Sequence, residues 1–389
     1  MIHWLTYLFS TVLINNSPEP QFEAQTLDSN IEIGYGLAIG DVDGDGKPDI
    51  LLADKKEFVW YRNGDWKRFV MVENLTESDN VCIAARDING DGKVEIAVGA
   101  QWNPGETVDK QKSGSVHYLI RPDDPTQGWE PIKLHHEPTV HRMRWVKATD
   151  DLFHLIVLPL HGQGNKGGAG KGVKVIAYEQ ADQKGRQWKN WVIDQSMHVT
   201  HNMDPVSGEN GETLQIGGKE GVKTLTFEDG KWVPGSNNGW LINEYGFGEI
   251  RIGHDTKGKP FLAGIEPFHG STLSIYTLGE DKAFALGNLN RTVLTAAMKQ
   301  GHGLATGDLL NMGMDQIVVG WREPNDDGDL GIKILVPQED GSWKKHWLDK
   351  NGMACEDLKI ADLDGDGKPE IIASGRASKN LKIYWNKSY

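Results

Sequence analysis

The stretch GDVDGDGKPDILLA, which begins at Gly40, returns nearly unchanged as RDINGDGKVEIAVG from Arg86 and ADLDGDGKPEIIAS from Ala361. A short apolar run precedes each copy (LAIGD, IAARD, LKIAD), and a β-branched run, a turn and a further strand-like run follow it. That further run can be traced seven times: FVWYRN, SVHYLIR, VKVIAYE, VKTLTF, TLSIYTL, IKILVP and LKIYWN. Between units lie Trp-rich runs such as DWKRFVMV, GWEPIKL, QWKNWVID and SWKKHWLD, which read as outer strands. Four short strands per unit, repeating at roughly 45–55 residues, predict an all-β fold: a seven-bladed β-propeller of four-stranded antiparallel blades. The seventh unit ends after its third strand at Tyr389, while QFEAQTLDS (21–29) resembles an outer strand with no unit of its own. This N-terminal strand is expected to complete the last blade and close the ring, so that 21–389 form a single propeller.

Composition narrows the partners. A formal net charge of -14 argues against nucleic acid, because phosphate binding needs basic surface. Two cysteines, Cys82 and Cys355, provide no disulfide framework. The apolar run Trp4–Ile14 is too short to span a bilayer but has the length of a signal-peptide core. Residues 1–18 are therefore expected to be a signal peptide or an N-terminal extension, with a secreted or periplasmic protein and no membrane span. The oligomeric state is not legible.

In the three copied loops oxygen ligands alternate: Asp41, Asp43, Asp45 and Asp49; Asp87, Asn89, Asp91 and Glu95; Asp362, Asp364, Asp366 and Glu370. Hard oxygen donors at that spacing, with Gly in sixth place for the sharp turn, suit Ca²⁺. An EF-hand also needs a carboxylate in twelfth place, where Leu52, Val98 and Ala373 stand. The ion is thus expected to be structural. The loops resemble the FG-GAP (VCBS-type) repeats of integrin-like propellers.

If the calcium loops mark one face, the starts of the first strands and the ends of the second strands must share the other. Counting from the first loop Asp, the second-strand ends carry Lys55, Gln101, His161, Lys219, Arg322 and Arg376, with His269 in the fifth unit. The first-strand starts carry Tyr35, His141, His198, His302 and Glu356, and His201 follows His198. By strand alternation His201 is expected to turn towards a neighbouring blade. A mouth ringed by imidazole and cationic groups can stabilise developing negative charge. Trp102 and Trp321 stand beside that ring and suit a sugar platform.

TVHRMRW, PLHGQGNK, HVTHNMDP, IEPFHG, GHGLATGDL and NGMACEDL resemble the propeller domain of the aldos-2-ulose (1,5-anhydrofructose) dehydratase family, over about residues 30–387. That resemblance implies elimination of water from keto-sugars with a metal at the propeller site. The resemblance does not extend to the cupin domains of the fungal family member, so its isomerase step is not expected. A weaker resemblance to propeller-type ulvan lyases rests on a histidine pair one hairpin apart, His141 and His161. Both imply β-elimination on a carbohydrate, which needs a base, a cation for the enolate and an acid for the leaving group. His141 and His161 are the expected catalytic pair, their roles open. His198, His201 and His269 are the expected Zn²⁺ ligands, since imidazole prefers zinc to calcium. Tyr35, Lys55, Lys219, His302, Arg322, Glu356 and Arg376 are expected to bind substrate. The alternative is a non-catalytic propeller that binds glycan or protein.

Overall fold

The computed structural model describes residues 18–389 apart from 166, 183, 280, 281 and 283; all of the expected leader except Pro18 lies outside the described residues. Among the described residues the chain forms seven antiparallel sheets, six of them built from consecutive strands and the last from the final three strands with the N-terminal one. Blade 1, for example, runs Gly36–Gly40, Asp49–Ala53, Glu57–Tyr61 and Arg68–Glu73 from the axis outwards. Blade 4 carries a fifth short strand, Trp240–Ile242, against Gly221–Glu228. In the last sheet, Phe22–Asp28 lies antiparallel to Asn380–Asn386, with Phe22 opposite Asn386.

Alternation along the strands explains why the sheets stack as blades. Leu51 and Ala53 face blade 2, whereas Ile50 and Leu52 face blade 7. Both faces of a blade are therefore apolar, and the middle strands read as unbroken hydrophobic runs. Seven buried clusters result among the described residues, one at each seam between neighbouring blades. The outer-strand tryptophans close the seams from outside: Trp129 packs between blades 1 and 2, and Trp232 between blades 3 and 4.

The three copied loops share one hydrogen-bond pattern. The N–H of Gly46 donates to Asp41, that of Gly92 to Asp87 and that of Gly367 to Asp362, at 2.7, 2.9 and 3.0 Å. Each of these glycines has φ near +84°, a region closed to most side chains. The last carboxylate of each loop turns inwards: Asp49, Glu95 and Glu370 accept the N–H of Val42, Ile88 and Leu363. Burial pushes all three up to about 7. A cation would remove that penalty, and Asp41, Asp43 and Asp45, like Asp362, Asp364 and Glu370, already bring oxygens within 4.8 Å of one another.

Candidate active site

At the opposite end of the channel lies a cavity of about 570 Å³, lined among others by Tyr35, Trp102, His141, His269, His302 and Arg322. A repeated backbone irregularity builds it. In blades 3, 4, 6 and 7 the innermost strand carries a register shift at its first residues, between Val140 and Arg142, Thr200 and Asn202, Gly301 and Gly303, and Cys355 and Asp357. The extra residues are His141, His201, His302 and Glu356. A bulge leaves one residue outside the ladder and re-aims its side chain, so four polar groups turn inwards where regular pleating would alternate them.

These bulges correct the register in blade 4. His201, not His198, is the counterpart of His141, His302 and Glu356. It does face the neighbouring blades, as alternation predicts, but at the inner end of the strand: its ring lies 4.6 Å from that of His141 in blade 3 and 4.5 Å from that of His269 in blade 5. His198 stands apart, with Nδ1 2.8 Å from Glu220. His201, His269 and His302 bring ring nitrogens within 4.8 Å of one another, which is the geometry of a shared cation site. His302 therefore belongs with this cluster rather than only with the substrate contacts.

Hydrogen bonds fix the tautomers. His201 Nδ1 donates to the Gly248 carbonyl at 2.8 Å, and His302 Nδ1 donates to the Glu356 carbonyl. Each leaves Nε2 as a free lone pair, the usual arrangement of a metal-binding imidazole held by its outer contacts. His269 differs. Arg322 donates to its Nδ1 at 3.2 Å, which places the ring proton on Nε2, 2.5 Å from His201 Nε2. A metal on that nitrogen requires Arg322 to release Nδ1. Desolvation, with nearby cations, keeps these rings neutral: His302 falls well below the ordinary range and His269 to about 2.

The wall carries the remaining chemistry. His141 Nδ1 donates to the His201 carbonyl at 3.0 Å, Arg142 donates to His141 Nε2 at 3.1 Å, and Trp102 stacks on the ring at 5.0 Å. Burial first, then the Arg142 charge, holds His141 well below its usual range. Arg322 and Arg376 both bind Glu356, at 3.0 and 3.2 Å. The Tyr35 hydroxyl donates to Asp79 at 3.1 Å, and burial pushes it up to about 12, so it keeps its proton at neutral pH.

Four expected residues lie outside this constellation. The Leu160 N–H bonds the Thr139 carbonyl as Arg322 bonds Gln300 and Arg376 bonds Ala354. Leu160 is thus their counterpart, and His161, one residue on, points elsewhere; it pairs with Val199 and does not line the cavity. Lys219 occupies the right backbone position but reaches the Gly167 carbonyl at 3.0 Å. Lys55 pairs with Glu32 at 3.2 Å in solvent. His198 is the fourth. The sequence reading passed over Arg142, Asp79 and Glu249; the buried Glu249, which salt-bridges His201 and Arg251 at 3.5 and 3.6 Å, sits six residues before Asp255, in the first-strand position. The same six-residue count exposes it.

A family model for the β-propeller domain of aldos-2-ulose dehydratase matches residues 113–279. Two FG-GAP repeat models match 41–98 and 83–119. The aldos-2-ulose dehydratase of Phanerodontia chrysosporium is 23% identical over 264 residues, which cover 63% of this chain and 28% of that protein. The chain thus spans little more than a quarter of this relative's length. Two solved structures share the fold. One is a chain of the mitotic checkpoint complex, with TM-score 0.55 and 11% identity over 99% of this chain and 98% of that one. The other is a chain of the BBS1N complex with ARL6DN, with TM-score 0.56 and 12% identity over 96% and 97%. The chain is a seven-bladed propeller with FG-GAP repeats, similar in sequence to the propeller domain of aldos-2-ulose dehydratase.

Proposed function

We propose that the chain is a carbohydrate lyase or dehydratase that carries out metal-assisted β-elimination in the histidine-lined cavity. The observation that carries this reading is the meeting of His201, His269 and His302 from three blades, with His269 and His302 in the lining of a cavity large enough for a sugar ring and His201 buried against His269. These three residues would hold a Zn²⁺ or similar divalent ion. When bound, such an ion supplies a Lewis acid that polarises a sugar carbonyl.

The chain's own residues supply the rest. His141 is neutral, aligned by the His201 carbonyl and set in the wall, and it serves as the base once Arg142 releases Nε2. Arg142, Arg322 and Arg376 face the oxygen on which negative charge develops. Tyr35 holds a proton for the leaving hydroxyl. Because Glu356 already neutralises part of the Arg322 and Arg376 charge, a neutral keto-sugar fits the cavity better than a polyanion. Trp102, stacked on His141, offers a flat apolar surface to a sugar face. Calcium in the three copied loops is a scaffold element of the same proposal, as is export through residues 1–18.

The test is incubation of purified protein with 1,5-anhydrofructose, 3-keto-glucosides and uronate polymers, following absorbance of the conjugated enone alongside metal analysis. A new chromophore with about one zinc per chain supports the reading. Ligand retained unchanged by every preparation would instead favour a binding propeller.

A further inference from the structure

The channel has a second mouth, at the end of the copied loops, where a cavity of about 380 Å³ opens. One wall is apolar and short-chained, with Leu37, Ala38, Ile83 and Ala84; the other presents Arg86, Arg144 and Lys359. Two of these cations are already matched. Glu212 grips Arg86 with both oxygens, at 3.0 and 2.8 Å. Asp357 takes Lys359 with both, at 2.9 Å each.

Arg144 is not matched. Its Nη1 donates to the Met143 carbonyl at 2.8 Å, and among the described residues no carboxylate lies within ion-pair distance of it. The charges that reach it most strongly after burial are Arg251, which repels it, and Asp357, which attracts it. Asp357 is spent on Lys359 and the Leu37 N–H, and the more distant Glu249 lies within 4.0 Å of both Arg142 and Arg251. Arg144 is partly exposed, and the donors that the Met143 carbonyl does not take are open to the water of this cavity, where a planar anion can join them. That this positive pit survives in a chain of net charge -14 makes it a local feature of the channel rather than a general one.

We propose that this mouth binds a small oxyanion, of the size of sulfate or a free carboxylate, on the planar fork of Arg144 with Lys359 at its flank. The fork accepts two oxygens side by side, which a point charge does not. The alanine wall leaves room for a compact ion. Arg142 lines the histidine cavity and Arg144 lies two residues further along the same strand, about 7 Å away, so the two sites are separate.

The experiment is a calorimetric titration of the full chain, loaded with calcium, with sodium sulfate and with sodium acetate at matched ionic strength. Saturable binding to one site is expected, weakened about tenfold or more in Arg144→Met and unchanged in His302→Ala. Equal strength for the two salts would define a general oxyanion site, and preference for either would name its source. Binding that survives in Arg144→Met, or that vanishes in His302→Ala, overturns the proposal. So does the absence of saturation before sulfate acts by general exclusion from protein surface. Should Arg144→Met fail to fold, Lys359→Met and the anomalous signal of selenate in a crystal decide the same point: selenate away from the Arg144 guanidinium rejects it.

Discussion

The loop of blade 6 turns as the loops of blades 7, 1 and 2 do, yet carries little of their charge. Asp308 accepts the Gly313 N–H at 2.7 Å, as Asp41 accepts that of Gly46. Where the other loops bury Asp49, Glu95 or Glu370, blade 6 has Gln316, whose side-chain oxygen takes the Leu310 N–H at 3.0 Å. The middle ligand places hold Leu310 and Met312. The same turn can therefore be made with a neutral amide and no ion, or with buried carboxylates that need one. On the proposed reading, a cation bound at this end is an interchangeable building part. The histidine end offers no such substitution, since its imidazoles come singly from different blades and meet only at the cavity.

The largest expected effect lies at the histidine end. His302→Ala should lose the bound transition metal and lower turnover about a hundredfold or more, with calcium content unchanged. Retained turnover on a confirmed substrate would place the chemistry elsewhere.

Calcium removal comes next and acts on stability. Three sites, each at about a hundred times its Kd, contribute about 8 kcal/mol together, or about 10 °C in Tm for a chain of this size. The sign with pH follows from Asp49, Glu95 and Glu370, raised to about 7 by burial. Without a cation their folded forms hold protons more tightly than the unfolded chain does. Their contribution is complete below about pH 4 and lost as pH rises through about 7. The Tm difference between calcium and chelator should therefore widen from pH 5 to pH 8. A constant difference would contradict the comparison.

Glu370→Gln copies blade 6 into blade 7. One calcium fewer per chain is expected, with a Tm loss of about 3 °C in calcium and almost none in chelator. An equal loss in both conditions would mean that the carboxylate matters without an ion. The smallest effects belong to His161→Ala and Lys219→Ala, which should change turnover by less than about threefold because neither side chain reaches the cavity.

Periodicity made the ring legible, because a propeller repeats its strand pattern and two-sided burial in each blade. It also made the end of the channel legible: Tyr35, His141, His302, Arg322, Glu356 and Arg376, selected only by strand position, all line one cavity. The bulges were not legible. A single extra residue inverts every facing after it, and its signal in sequence is no stronger than a spacing that differs by one. That error added His198 to His201 as a fourth-blade ligand and gave it the first-strand position, and a similar one made His161 the counterpart of Arg322 where Leu160 stands. Arg142 escaped notice because a charged residue beside a histidine is unremarkable until the channel encloses both.

The central claim is that the two ends of one channel bind different cations, imidazole for chemistry and carboxylate for scaffold. Anomalous diffraction recorded on either side of the zinc absorption edge, from crystals grown with both ions, tests it most directly. The account predicts an edge-dependent peak within bonding reach of His201, His269 and His302, and edge-independent peaks in the loops at Asp41, Asp87 and Asp362. An edge-dependent peak at those loops, or none among the three histidines, would contradict it.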